Sequence, residues 1–202
     1  MINYITPALI AHLFPAPAGP DDVEVTEPLS IDASVEAVGI DFAGTRFLVF
    51  FADVMAYAGR DPDFVRQTAA AWNNGFVPAA GSRLVKFVRS DADADSMFDP
   101  RVWPLPEPQM IWQFMEALAI AVEGHALAYP AVMQYFYAPQ TGKLDSLYNR
   151  LSRPFGSGKY GVTFQCVTRP ASDEGGFYGF ERIEQAAPES GSDAEARPRR
   201  GS

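Results

Sequence analysis

Aspartates at alternating positions are the first candidates for chemistry in this sequence. Asp91, Asp93 and Asp95 stand two residues apart, which is the spacing of the first three carboxylates of a calcium loop. Such a loop also needs a glycine at its sixth position and a bidentate glutamate at its twelfth, and here these are Ser96 and Val102. A solvated acidic turn is the favoured interpretation, and we expect no bound metal.

Isolated histidine, cysteine and aspartate side chains give weaker signals. His12 and His125 are far apart and no cysteine cluster accompanies them, which argues against a zinc site. The single cysteine, Cys166, cannot form an internal disulfide, and in an apolar strand we expect it to be a small buried core residue. Asp95 or Asp99 could act as a base for an amine substrate only if the acidic turn folds towards a cleft.

The composition bounds the kind of protein. With 202 residues, of which 48% are hydrophobic and 13% aromatic, the chain can bury a core as a single domain. Sixteen Lys and Arg against 25 Asp and Glu give a net charge of −9, which argues against nucleic acid or an anionic membrane as a partner. No run has the length of a membrane span and the N-terminus lacks the pattern of a secretory signal, so cytoplasmic residence is the expectation.

The first half of the chain predicts strands with one helix between them. Two apolar runs, residues 35–42 and 45–51, are separated by Ala43-Gly44 and predict a tight hairpin. The second run is apolar enough to be a central strand buried on both faces. Asp61-Pro62 is typical of a helix start, and residues 82–89 predict a further strand.

The second half predicts helix, strand, helix, strand and strand. Its first helix carries an apolar face at steps of three and four residues, formed by Met110, Ile111, Phe114, Met115, Leu118, Ala121 and Val122. We expect that helix to begin near Pro108 and to end at Gly124. A strand over 131–138, a helix over 143–151, and two strands over 160–167 and 176–183 that pair as a hairpin follow from the remaining pattern.

This order of elements resembles the C-terminal half of the GCN5-related N-acetyltransferase superfamily. The resemblance implies a single α+β domain with a mixed, mostly antiparallel sheet flanked by helices. It also implies acetyl-CoA as cofactor and an amine as acyl acceptor in active members. The predicted helix after Asp61-Pro62 has no clean counterpart in the family order.

A local pattern before the long helix bears on the cofactor. The family holds the CoA pyrophosphate on backbone amides of a segment with Arg or Gln first and small residues at the fourth and sixth positions. In the corresponding segment 101–106, the Arg is present and proline occupies both small positions. Proline lacks an N–H and its ring crowds an approaching phosphate. The resemblance carries over Arg101, Val102, Trp103 and Leu105 as cofactor contacts in an altered form.

The second local pattern is a Leu-Tyr pair in the next helix. The family has Asn, then Ala three residues later, then Leu-Tyr, and here Leu147-Tyr148 fits while Thr141 and Leu144 replace Asn and Ala. Because that Tyr often protonates the departing CoA thiolate, the resemblance implies that Tyr148 is a general acid. The alternative is ordinary packing of an amphipathic helix with the phenol tip at the surface.

These observations predict three parts and one preferred function. The parts are an N-terminal arm (1–30), the acetyltransferase-like domain (31–184) and a disordered tail (185–202). We expect a non-catalytic interaction or accessory protein on a degenerate acyltransferase-like scaffold, without a cofactor and a candidate member of a larger assembly. A protein partner would dock through residues 1–20 or the aromatic surface. The alternative is a CoA-dependent N-acyltransferase that transfers an acyl group from acetyl-CoA to an amine.

Overall fold

The chain forms an α+β structure in the part that the computed structural model describes. The described residues are 4–16, 19, 22–57, 75–93, 95–97, 99, 102–103, 110–137, 150, 155–159, 161–170 and 177–183. The helices within them are α1 (Pro7–Leu13), α2 (Val54–Tyr57) and α3 (Ile111–Ala128). The strands are β1 (Val23–Val25), β2 (Leu29–Asp32), β3 (Val35–Phe42), β4 (Thr45–Asp53), β5 (Arg83–Arg89), β6 (Gln134–Tyr137), β7 (Thr163–Thr168) and β8 (Tyr178–Ile183). The predicted helix after Asp61-Pro62, most of the predicted helix 143–151 and the predicted tail lie outside these residues.

The eight described strands form one mixed sheet. Its order is β1-β3-β4-β5-β6-β8-β7, and β2 also pairs with β3, beside β1. Every neighbouring pair is antiparallel except β5 with β6, which run parallel. Because α3 connects these two parallel strands, it makes the crossover that a parallel pair requires. The predicted α+β class with a mostly antiparallel mixed sheet is confirmed.

The hairpin of β3 and β4 is the longest strand pair of the described sheet. Its register runs from Val35↔Ala52 to Phe42↔Thr45, and the two turn residues, Ala43 and Gly44, have φ values of +50° and +78°. Two consecutive positive φ values fit the twist of a two-residue hairpin. Strand β4 is paired on both sides and buried over most of its length, so the predicted hairpin and central strand are confirmed.

Side chains of the sheet alternate between two cores. One core lies under α3 and includes Val38, Ile40, Val49 and Phe51, with Phe114 from the helix. The opposite core lies under α1 and joins residues of β3, β4 and β5 to that helix. Its strand residues include Ala37, Leu48, Phe50 and Val88, and Leu9, Leu13 and Phe14 come from α1 and its C-cap. The period of two along each strand thus sends successive residues to different helices.

Helix α1 begins with a complete N-cap. Thr6 Oγ1 accepts a hydrogen bond from the Leu9 amide at 3.1 Å, and Pro7 occupies the first helical position. A helix of two turns is stable only when it packs against something, and Leu9 and Leu13 do so on this chain's own sheet. Helix α1 and β1 belong to the predicted N-terminal arm, and β2 crosses its expected boundary at residue 30.

Helix α3 continues past its expected end. Gly124 was expected to terminate it, but the helix runs to Ala128, and the Tyr129 amide closes the last turn on the His125 carbonyl at 2.8 Å. An interior glycine costs about 1 kcal/mol relative to alanine. Burial of His125 and Ala126 beyond it outweighs that cost.

The β7–β8 hairpin confirms one prediction and corrects another. The two strands pair antiparallel from Thr163↔Ile183, as expected. Cys166 was expected in the core and is exposed. Strand β7 is the last strand of the sheet, and its register shifts between Cys166 and Thr168. Phe164 and Cys166 share a face of β7, and the core covers that face at Phe164 but not at Cys166.

Candidate functional site

A cluster of ionisable side chains lies inside the protein where β3, β5, β6 and α3 meet. Glu36 comes from β3, Arg83 from the start of β5, His125 from the last turn of α3 and Tyr135 from β6. The register places these strand residues on the sheet face that α3 covers, because Glu36 is opposite Phe51 and Arg83 is opposite Tyr135. We call these four residues the buried network.

Arg83 and Glu36 form the ionic part of the buried network. The guanidinium donates from Nε to Glu36 Oε2 at 2.8 Å and from Nη2 to Oε1 at 3.0 Å. Its Nη1 donates to Asp53 Oδ2 at 3.2 Å and to the Gly81 carbonyl at 3.0 Å. A bidentate pair of this kind fixes the planes of both groups. Arg83 thereby ties the two strands on either side of β4 together.

His125 forms the neutral part of the buried network. Its ring is fully buried and stacks between Phe51, at 3.9 Å between centroids, and Tyr129, at 4.6 Å. Nδ1 lies 2.9 Å from the Tyr135 hydroxyl oxygen, and Nε2 lies 3.3 Å from Glu36 Oε2. Burial lowers the pKa of His125 below its ordinary value, although Glu36 opposes this shift. The ring is therefore neutral at pH 7.

The partners determine which ring nitrogen carries the proton. An ionised carboxylate only accepts hydrogen bonds, so Nε2–H of His125 donates to Glu36. Nδ1 then accepts from the Tyr135 hydroxyl. Burial alone would raise the pKa of Glu36, but hydrogen bonds from His125 and Arg83 outweigh it and leave the pKa lowered. Burial also raises the pKa of Tyr135. One anion and one cation therefore balance each other.

The buried network holds α3 against the sheet. Among the residues described, it has no solvent-accessible space in which a substrate could bind. His125 and Tyr135 have no exposed surface, and the side chains nearest to solvent are Arg83 and Asp53, at 11% and 23% exposure. Both ring nitrogens of His125 already have partners. The network joins the C-terminal turn of α3 to the sheet. The network also holds together the first residues of β5 and β6, where Arg83 pairs with Tyr135.

The expected cofactor segment lies at the other end of that pair. Of its four residues, the structure describes Val102 and Trp103. Their backbone amides both donate to the Asp99 carbonyl, at 3.1 and 3.0 Å. The Trp103 indole Nε1 donates to Ser96 Oγ at 3.0 Å, and the Arg89 guanidinium lies over its ring at 5.4 Å. The two described amides are thus engaged within the acidic turn.

The N-terminus of α3 also lies at this end of the sheet, where Phe114 contacts Phe47 and Phe87. Met110 is its N-cap residue and makes no side-chain hydrogen bond to the helix, and the first turn contains no acidic residue. The first amides of a helix lack partners inside it, and they carry the positive end of the dipole. The acidic turn itself is held by Arg89, which binds both carboxylate oxygens of Asp91 at 2.9 and 2.7 Å.

Glu123 is a buried carboxyl outside the buried network. It lies on α3 with 1% exposure, and neither of its oxygens has a hydrogen-bond partner in the described part of the chain. Burial raises its pKa from 4.5 to about 7. Such a group is neutral in moderately acidic solution and is costly to ionise inside the fold.

The structure brings together residues other than those expected from the sequence. Tyr148, Arg101 and Leu105 lie outside the described residues, so their roles stay predictions. The buried network was missed, although one signal was available. Glu36 alternates with Val38 and Ile40 on one face of an apolar strand, and a charge at such a position requires a buried partner.

Searches for other functional features return little. The described residues contain no group of three or more His, Cys, Asp or Glu side chains placed to hold a metal ion. No helix in the described part of the chain is long and apolar enough to span a membrane. A scan against models of protein families, a search of curated proteins and a search of solved structures each returned no match.

Proposed function

We propose that this protein is a non-catalytic interaction or accessory protein on an acyltransferase-like scaffold. The observation that carries the proposal is the use of the Val102 and Trp103 amides by the Asp99 carbonyl. A pyrophosphate needs free N–H groups, and these two are engaged at 3.1 and 3.0 Å. The prolines at positions 104, 106 and 108 supply none.

The connectivity supports the scaffold. A long helix links two neighbouring parallel strands, and an antiparallel hairpin follows and completes the sheet on the far side of the second strand. This is the arrangement that the sequence resemblance implies for its C-terminal half. A fold of this kind hosts many functions, so the activity must be argued from the site.

The packing of the parallel pair supports the absence of chemistry. Strands β5 and β6 pair over three residues, from Arg83↔Tyr135 to Val85↔Tyr137. Three consecutive aromatic residues of β6, Tyr135, Phe136 and Tyr137, are buried there. Tyr135 and Tyr137 belong to the core under α3, so side chains fill the α3 face of the sheet along this short paired stretch.

The surface supports an interaction role. Trp112, Ile120 and Leu127 lie on the outer side of α3 and are 55%, 40% and 57% exposed. They stand eight and seven residues apart along the helix and are candidate contacts for a protein partner. The proposal comprises a protein partner at this surface or at residues 1–20, and cytoplasmic residence. The net charge of −9 argues against nucleic acid as that partner.

A CoA-dependent N-acyltransferase is the second candidate. The N-terminus of α3 favours it, because among the described residues no side chain caps the helix, and its first turn contains no acidic residue. In that case Arg101, Val102, Trp103 and Leu105 contact acetyl-CoA, and Tyr148 protonates the departing thiolate. An amine would accept the acyl group.

Calorimetry with acetyl-CoA and with CoA separates the two candidates. We expect no saturable heat for either ligand up to about 1 mM, which corresponds to binding weaker than about −4 kcal/mol. Saturable binding near 1 μM, or about −8 kcal/mol, would overturn the proposal in favour of the enzyme. The variants Arg101→Ala and Tyr148→Phe then separate cofactor binding from proton donation. Loss of affinity in the first and loss of turnover alone in the second would identify the enzyme.

A further inference from the structure

A cavity lies at the edge of the sheet formed by β1 and β2. It has a volume of about 540 Å³ and is formed by the end of α1, by β1, by the link from β1 to β2, and by one residue of β3. Small-molecule sites commonly occupy this range of volume and combine apolar walls with a few polar groups. The apolar part of this wall includes Leu13, Phe14 and Leu29, which lie on the side of the sheet covered by α1.

A break in the edge strand creates the cavity. Strands β1 and β2 both pair with β3, and between them Thr26 bonds to Gly39 through its amide at 2.9 Å and its hydroxyl at 2.8 Å. Gly39 leaves room for the Phe14 ring, because a Cβ at that position would lie 2.7 Å from Phe14 Cζ. The chain bends at this point, and Pro28 adds no amide to the link.

The charge of the lining is negative. Glu24 and Glu27 contribute to the lining and are exposed, and neither carboxylate has an ion-pair or hydrogen-bond partner among the residues described. Asp41 also lines the cavity, but it is buried and bound to Arg46 Nε at 3.0 Å and to the Gly44 amide at 3.2 Å. Two carboxylates therefore stay available for a ligand.

We propose that this cavity binds an organic cation with an apolar stem. Its charged group pairs with Glu24 and Glu27, and its stem packs against Leu13 and Leu29. A free alkylamine and the lysine side chain of a partner protein share this chemistry, because both carry an ammonium group at pH 7. The inference holds whether or not CoA binds, and the cavity includes part of the partner surface proposed at residues 1–20.

Titration followed by ¹H–¹⁵N NMR tests the proposal with three probes. These are hexylamine, the blocked lysine Nα-acetyl-lysine-N-methylamide, and hexanol as the neutral analogue. We expect at least one cation to shift the amides of Val25, Thr26 and Leu29 with a Kd near 1 mM, an affinity that suits a ligand of about ten heavy atoms. Hexanol should bind about tenfold more weakly. Tighter binding of blocked lysine identifies a protein partner as the source, and tighter binding of hexylamine identifies a free amine.

Charge variants complete the test. The double variant Glu24→Gln/Glu27→Gln should weaken cation binding about tenfold, or about threefold for each exposed ion pair. Both side chains are exposed, so the variant should keep its fold and its dispersed spectrum. Glu116→Gln removes an exposed carboxylate of α3 that pairs with Lys159; it controls for the change in charge and should leave the affinity unchanged. Equal binding of hexanol and hexylamine, an unaltered affinity in the double variant, or no shift at the cavity would each overturn the proposal.

Discussion

The buried carboxyl of Glu123 should make the free energy of unfolding depend on pH. Its pKa is raised by burial from 4.5 to about 7 in the folded protein. In the unfolded chain it has its ordinary value. Between these two values the folded protein holds a proton that the unfolded chain has released, so stability falls as the pH rises through this window. Each unit of pKa shift is worth about 1.4 kcal/mol, and the whole shift corresponds to about 3 kcal/mol.

Glu123→Gln removes this dependence while keeping the shape of the side chain. Urea denaturation across the range from about pH 5 to about pH 8.5 should show the variant gaining about 2.5 kcal/mol relative to the wild type. Contributions from Glu36 and His125 are common to both proteins and cancel in the difference. Glu116→Gln controls for the change in net charge, since it lies on the same helix and is exposed.

The control variant should differ from the wild type by a nearly constant amount at every pH. A constant difference for Glu123→Gln as well would refute the reasoning, because it would show that Glu123 titrates alike in the folded and unfolded chains. Titration of the ¹³C-labelled side-chain carboxyl then offers an independent check. Its midpoint should lie near 7.

Three further substitutions test the packing. Arg83→Met leaves the buried carboxylate of Glu36 without its bidentate partner and should cost about 3–5 kcal/mol in urea denaturation; a loss below about 1 kcal/mol would show that the pair is well solvated. A43N replaces an alanine at a φ of +50° and should raise the melting temperature, because the strain released is about 1 kcal/mol; an unchanged temperature would contradict the turn geometry. Gly39→Ala should cost about 1–3 kcal/mol through overlap with the Phe14 ring, and Phe14→Leu in the same chain should recover part of that loss; purely additive effects would argue against the contact.

Local patterns explain why the hairpin of β3 and β4 could be predicted from the sequence. The runs 35–42 and 45–51 are apolar, and the small residues between them allow positive φ values. Strand β5 and the pairing of β7 with β8 follow from similar short-range signals. In each of these cases the burial and the turn are determined by neighbours along the chain.

The remaining features depend on contacts between distant residues. Arg83 and Glu36 are 47 residues apart, and His125 and Glu36 are 89 apart, so their meeting follows from strand register that composition does not reveal. The prediction that α3 ends at Gly124 was wrong for a related reason. Tertiary burial of His125 and Ala126 continues the helix beyond it. Cys166 is exposed although Phe164, on the same face of β7, is buried, because the core ends between them.

The most direct measurement of the central claim follows the amides of Val102 and Trp103 during titration with CoA. In ¹H–¹⁵N NMR we expect both signals to stay in place at millimolar ligand, because the Asp99 carbonyl already accepts both N–H groups. The variant Arg101→Ala should give the same unshifted signals. Saturable shifts of these two amides in the wild type, lost in Arg101→Ala, would show that the segment still binds the pyrophosphate and would contradict the non-catalytic proposal.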